Sequence, residues 1–283
     1  MISPLYMFNV SIIIIHFVLL LTQASLSEAS ARCSDRCVAT DEELKDAIQD
    51  IIENSIPPHG EVLLCNSTKE NPLLLNTMHD FETNLNLVIG CCAAEHDDGI
   101  QFFREPRAVI PTCKLMLNNP TSGFRITEEA ENVTLTFANI QVTQSQSVDD
   151  MNVSFLETRS DAMTSFYNMS FKGLFSSTVI GLIVYIKAIN PPSGRSRVFA
   201  SFWSKFMDNI VSAADREPAV FKFIRQAGTT EEQLQESQST YTKILFYASS
   251  FDNNFGGNVQ TFGNSNIYSS ITYHIVVKFS KIT

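Results

Sequence analysis

Asn132-Val133-Thr134-Leu135-Thr136-Phe137-Ala138-Asn139-Ile140 reads as a short strand, an asparagine kink and the start of a second strand. Its apolar residues alternate, as in a strand with one face in a core. Three later stretches can be laid over it: Ser165-Phe166-Tyr167-Asn168-Met169-Ser170-Phe171, Ser201-Phe202-Trp203-Ser204-Lys205-Phe206 and Leu245-Phe246-Tyr247-Ala248-Ser249-Ser250-Phe251. With Phe137, Phe166, Phe202 and Phe246 taken as equivalent, the steps are 29, 36 and 44 residues, inside the roughly 20–45 residues of a solenoid repeat. A strand pair this short cannot bury its apolar face alone, and stacking one coil on the next buries it. The overlay predicts an internal ladder of these four Phe residues. It places Tyr167, Trp203 and Tyr247 on the opposite face, where solvent or ligand can reach them. These three are the candidate carbohydrate contacts, with burial beneath a loop as the competing reading.

Outward from the repeat, short strand signals run almost without interruption from residue 62 to residue 279. The run at 179–189 does not alternate and reads as a strand buried on both faces. Asn190-Pro191-Pro192-Ser193-Gly194, the polar stretch 228–240 and the Asn-rich stretch 253–266 read as solvated excursions from the coils. One helix precedes the strands, over about residues 40–54. Thr40 and Glu43 make a capping box, and Leu44, Ala47, Ile48, Ile51 and Ile52 share one face, with Lys45, Asp46 and Asp50 turned outward. Pro57-Pro58-His59-Gly60 ends it.

The composition agrees with strands. Of 283 residues 44% are hydrophobic and only 18% charged, with 21 Phe against one Trp. That content excludes a largely disordered chain and admits one elongated all-β domain or two small ones. Twenty Lys and Arg against 30 Asp and Glu leave a net charge of −10 and no basic block, which excludes a phosphate-neutralising nucleic-acid surface.

Secretion is expected from the first 31 residues. The apolar run 7–21 is followed by Ala29-Ser30-Ala31, which fits a cleavage site, although no Lys or Arg precedes the run. Asn9, Ser11 and His16 interrupt it, so after cleavage no membrane span is expected; an uncleaved anchor is the alternative. All six cysteines lie between Cys33 and Cys113. Cys33 and Cys37 are expected to staple the leading segment, and Cys65, Cys91, Cys92 and Cys113 to close neighbouring strands. Cys91 and Cys92 are adjacent in a strand and so take different partners. Asn66, Asn132, Asn152 and Asn168 open glycosylation sequons.

Three features in order resemble the right-handed parallel β-helix, or pectin-lyase-like, superfamily. They are Asp41-Glu42-Glu43-Leu44-Lys45-Asp46-Ala47-Ile48 as a capping helix, Gly60-Glu61-Val62-Leu63-Leu64-Cys65 as a first strand, and coils such as residues 132–140. The cysteine pattern is similar to that of secreted β-helix proteins from eukaryotic microbes. The resemblance covers about residues 40–280 and is one of pattern; the coils are longer than the family's and lack its usual glycine after the strand. It implies an all-β fold, a right-handed parallel β-helix solenoid with a short N-terminal capping α-helix, forming a single domain over residues 32–283. A leucine-rich-repeat solenoid would need a regular leucine frame, which is absent, and a β-sandwich would not account for the capping helix. No polar cap is written after the strand at 271–279, so the last coil is expected to be covered from within, by a second copy, or by residues missing from the sequence.

Catalytic members of such a family use arrays of Asp and Glu with an Arg or Lys base, often with calcium, or paired carboxylates. Asp97-Asp98 and Asp149-Asp150 are the chain's two Asp-Asp pairs, and both sit in turn-like sequence. His59, His79, His96 and His274 stand without a partner motif, and no nucleophile elbow, zinc motif or phosphate loop occurs. No catalytic residue, metal site or cofactor is assigned, calcium entering only if the chain is a lyase. The expected function is a secreted, non-catalytic protein that binds extracellular or cell-surface polysaccharide or acts in adhesion. The alternatives are a polysaccharide lyase or glycoside hydrolase, and a structural wall protein.

Overall fold

The computed structural model describes residues 37–55, 58–65, 71–91, 113–130, 132–159, 162–189, 198–213, 218–226, 242–262, 265–270 and 279–282. The leader, Cys33, Asn66, Cys92, Asp97-Asp98, residues 190–194 and 228–240, and most of the strand expected at 271–279 lie outside them.

The described strands form three long sheets, and every pairing in them is parallel. The first sheet stacks β1 (His59–Leu64), β4 (Leu85–Cys91), β7 (Val133–Ala138), β10 (Ala162–Tyr167), β14 (Val198–Phe202), β18 (Thr242–Tyr247) and β21 (Ser265–Ser270). The second stacks β2 (Leu73–Leu75), β5 (Cys113–Leu117), β8 (Ile140–Gln144), β11 (Ser170–Lys172), β15 (Lys205–Met207) and β19 (Ser250–Asp252). The third stacks β3 (Met78–Phe81), β6 (Gly123–Ile126), β9 (Leu156–Thr158), β13 (Gly181–Ile189), β17 (Ala219–Gln226), β20 (Gly257–Phe262) and β22 (Phe279–Ile282). A narrow pair, β12 (Phe175–Ser176) and β16 (Ile210–Val211), follows the second sheet. Each coil therefore visits the sheets in turn and returns one strand further on, which is a parallel β-helix.

Helix α1 (Asp41–Asn54) caps the first coil. Glu43 N donates to Thr40 Oγ1 at 3.2 Å and Thr40 N to Glu43 Oε2 at 3.3 Å, the reciprocal capping box its sequence spells. Leu44 and Ile48 are buried, and Ile51 packs so closely on β1 that a methyl group added at Gly60 would lie 2.7 Å from it. Asp41 locks the helix in place. Its Oδ1 lies 2.7 Å from His79 Nε2, and its Oδ2 accepts from Asn76 N and Thr77 Oγ1, each at 3.0 Å. His79, lone by sequence, is thus buried with a partner 38 residues away.

Phe fills the bore. Phe137, Phe155, Phe166, Phe171, Phe199, Phe206 and Phe221 are fully buried, and each contributes about 2–3 kcal/mol of burial. Register corrects the expected ladder. Phe166 pairs with Phe137 and Ser201, and Ser201 with Phe246, so the inner position of β14 is Ser201 and Phe202 points outward. Phe199, two residues earlier on the inner face, fills the aromatic gap, with ring centroids 5.3 Å from Phe166 and 5.7 Å from Phe246. A clean inner ladder does form in the second sheet, where Phe171, Phe206 and Phe251 stack at 5.6 and 4.9 Å.

Three further expectations change. The described residues of 253–266 are not a solvated excursion: they supply a left-handed turn at Asn253, strand β20 and the start of β21. The continuous burial in β13 has a local cause, because a register shift between Gly181 and Val184 leaves Leu182, Ile183 and Val184 all buried. The described disulfides are Cys37–Cys65 and Cys91–Cys113, so Cys65 joins the leading segment rather than a neighbouring strand. Cys91 and Cys113 close the neck of the connection 92–112. In the next coil the equivalent turn, from Ala138 to Ile140, is Asn139 alone.

Candidate functional site

The corner between the first and second sheets is built the same way in four successive coils. Asn139, Asn168, Trp203 and Ala248 occupy one column there, all left-handed, with φ of 59°, 49°, 50° and 49°. Their amides donate along the stack: Asn139 N to Tyr167 O at 2.9 Å, Asn168 N to Phe202 O at 2.8 Å and Trp203 N to Tyr247 O at 2.9 Å. Asparagine tolerates this conformation, and Asn168 Nδ2 adds a bond of 2.8 Å to Asn139 Oδ1. Trp203 can supply no such acceptor. Beneath it the interior changes from Ile140 and Met169 to Ser204 and Ser249, whose hydroxyls take over the turn. Ser204 Oγ accepts from Met169 N at 3.1 Å and donates to Phe202 O at 3.0 Å, while Ser249 Oγ donates to Tyr247 O at 3.3 Å.

Outside this column the pairing places Tyr167, Phe202 and Tyr247 in one row. With Trp203 they form a four-ring cluster across three coils. Trp203 sits edge-on between Tyr167 at 5.1 Å and Tyr247 at 5.5 Å, and Phe202 is 6.2 Å from Tyr167 and 6.3 Å from Tyr247. The cluster is graded from buried to open: Tyr167 is 8% exposed, Phe202 and Trp203 are half-buried, and Tyr247 is 44% exposed. Burial pushes the Tyr167 phenol up, so it stays a neutral hydroxyl. The three residues singled out by sequence are brought together, and Phe202 joins them. Spacing could have shown this: Phe166–Phe171 and Phe246–Phe251 are both five apart, and only Ser201–Phe206 repeats that interval. Lys205, two residues past Trp203 on β15, is exposed, and so is Met163 at the start of β10.

The third sheet's exterior is different. Arg125 forks onto Asp80 through Nε at 2.7 Å and Nη2 at 2.8 Å, a hydrogen bond that raises the guanidinium pKa, and Arg159 pairs with Glu157 at 2.8 Å. Asp150 braces a turn by accepting from Ser177 N at 2.8 Å and from Ser177 Oγ. Burial opposes its ionisation, but the Ser177 bonds outweigh that and hold its carboxyl below the usual range. Among the described residues no group of three or more His, Cys, Asp or Glu is placed to hold a metal ion. No described helix is long and apolar enough to cross a membrane.

Of the sequons, Asn132 and Asn152 are exposed, whereas Asn168 is half-buried with its amide committed to Asn139. Compared with known proteins, the chain matches no family model, and neither the curated proteins nor the solved structures yield a significant match.

Proposed function

We propose that this is a secreted, non-catalytic member of the pectin-lyase-like β-helix proteins that binds an extracellular or cell-surface polysaccharide through Tyr167, Phe202, Trp203 and Tyr247. The observation that carries the reading is Trp203 at φ 50°. A bulky side chain in the left-handed region costs about 1–2 kcal/mol where asparagine costs little. Asparagine holds this very position in the two preceding coils. A strained residue of this kind points to selection for something other than folding. Its indole joins tyrosines that carry hydroxyl donors beside apolar ring faces, the combination that stacks on sugar C–H faces and hydrogen-bonds their hydroxyls. The leader-like sequence and the two disulfides support an extracellular setting.

The test is calorimetric titration of the full chain with a panel of neutral and acidic polysaccharides, following polymer length in parallel. Wild type is expected to bind at least one polymer without shortening it. W203N is expected to weaken that binding at least about tenfold while keeping or raising the melting temperature, because it restores the favoured turn residue. Unchanged affinity in both W203N and Y247A, or progressive shortening of the polymer, would overturn the proposal.

A further inference from the structure

The other edge of the second sheet carries a second outward column. Ile210 pairs with Phe175 in the narrow sheet and bridges to Phe255 in the next coil. Ile210 is 40% exposed and Phe255 65%, the most open of the large apolar side chains among the described residues. These exposures do not arise from a loose backbone. Phe255 N donates to Asn209 O at 2.8 Å, Ile210 N to Leu174 O at 2.8 Å and Val211 N to Phe255 O at 3.1 Å. Beneath them the buried Asn209 gives its amide to Phe171 O at 3.2 Å and to Asn254 Oδ1 at 3.0 Å, and Asn254 Nδ2 donates to Phe206 O at 2.9 Å. Asparagines inside therefore secure the turn, and what stands outside is free of that duty. Serine at position 255 would serve the coil as well as phenylalanine does.

The border of this column is acidic. Asp208 is exposed in the adjoining left-handed turn, where its Oδ1 accepts from Asn253 Nδ2 at 2.9 Å. Asp252 is exposed on the end of β19, and Asp150 lies against Ser177 just past Phe175. Two exposed bases stand on the same three strands: Lys172, in the row of Asp252, and Lys205, at the end of β15 nearer the aromatic cluster. A rigid apolar strip edged with carboxylates repels acidic partners and loses least when a cation approaches as the strip is covered.

We propose that Phe175, Ile210 and Phe255, with Asp150, Asp208 and Asp252 around them, form a docking surface for a partner protein. The segment it takes bears lysine or arginine and lays an apolar side chain over Phe255. The surface is distinct from the aromatic cluster, which lies across the second sheet on the same coils. Apolar contact supplies the anchor and the carboxylates select the charge.

The experiment uses the full chain and short synthetic peptides of alternating lysine and leucine, lysine and serine, or glutamate and leucine. Titration is expected to show binding of the lysine–leucine peptide alone, weakened about tenfold by F255S and similarly by D208N/D252N, the latter also flattening its salt dependence. All these side chains are exposed, so the variants retain the wild-type melt, and D46N/D50N on helix α1 controls for bulk charge. Equal binding of the lysine–serine peptide, indifference to F255S, or a loss in D46N/D50N as large as in D208N/D252N would overturn the proposal. So would self-association of the chain that F255S abolishes, which would make a second copy the occupant.

Discussion

The first two coils and the fourth to sixth coils hold the same path by different means. In the former the interior is mainly Leu, Ile and Val, including Leu64, Leu75, Leu87, Ile89, Leu115 and Leu117, and two disulfides fasten the strand ends. In the latter Phe fills the bore, and turns are fastened by columns of Asn and Ser. Among the described residues, every non-glycine left-handed residue lies from Asn139 onward. The difference follows from turn length. A turn made of one residue brings equivalent side chains into contact from coil to coil, so hydrogen bonds can accumulate along the stack. Where the connection 92–112 takes the place of the one-residue turn, the Cys91–Cys113 bond joins the flanking strand ends.

The strongest way to challenge this contrast is to remove an aromatic hub. Phe221 is fully buried and lies 4.8 Å from Phe206, 5.2 Å from Phe246 and 5.5 Å from Phe199. F221A is expected to cost about 4 kcal/mol in denaturant unfolding; a cost below that of L87A would deny the Phe-rich half its special cohesion. Next comes the disulfide at the neck, which closes a loop of 22 residues. C91S/C113S is expected to cost about 3 kcal/mol. Hydrogen exchange should show the loss in β1, β4 and β5 before β14, β15 and β18. Uniform loss of protection would show that the halves open as one unit.

A smaller effect tests the ladders. N209A removes the side-chain acceptor of Leu174 N and the side-chain donor to the carbonyl of Phe171, while Asn254 Oδ1 keeps the backbone amide of residue 209, and about 2 kcal/mol is expected to go in thermal unfolding. The smallest concerns pH. The folded value of Asp150 lies below its unfolded one, so its contribution is present above the ordinary carboxylate range and is lost as pH falls through the folded value. With solvent screening it amounts to about a few tenths of a kcal/mol. The stability gap between wild type and D150N should therefore close below about pH 4, and a gap constant with pH would remove the charge from the explanation.

Much of this architecture was legible because it is written locally. The capping box at Thr40 and Glu43 and the apolar face of α1 need only neighbours in sequence, and they formed as read. Parallel stacking was legible from the repeated strand, kink and strand. Phe202 was assigned to the wrong face because Phe202-Trp203 looks like Phe166-Tyr167, and a slip of one residue turns a side chain from bore to solvent. Residues 253–266 read as a loop because nothing in the sequence tells Asn254, which serves the buried turn at Asn209, from an asparagine that faces solvent. The pairing of His79 with Asp41 and the partner of Cys65 depend on contacts 38 and 28 residues apart, which no local pattern encodes.

The closed neck at Cys91 and Cys113 also has a bearing on how the molecule can change over generations. Their Cα atoms are held 5.4 Å apart by the bridge itself. The path of the chain into β5 is thus held by the bridge and by the pairing of β5 with β2 and β8. Substitutions and length changes there incur only the slowly growing entropy of a longer tether, whereas a one-residue change in β7 or β10 would shift the stacked strands. The solenoid is conservative by construction, and the tethered stretch is where novelty can be tried without rebuilding the scaffold.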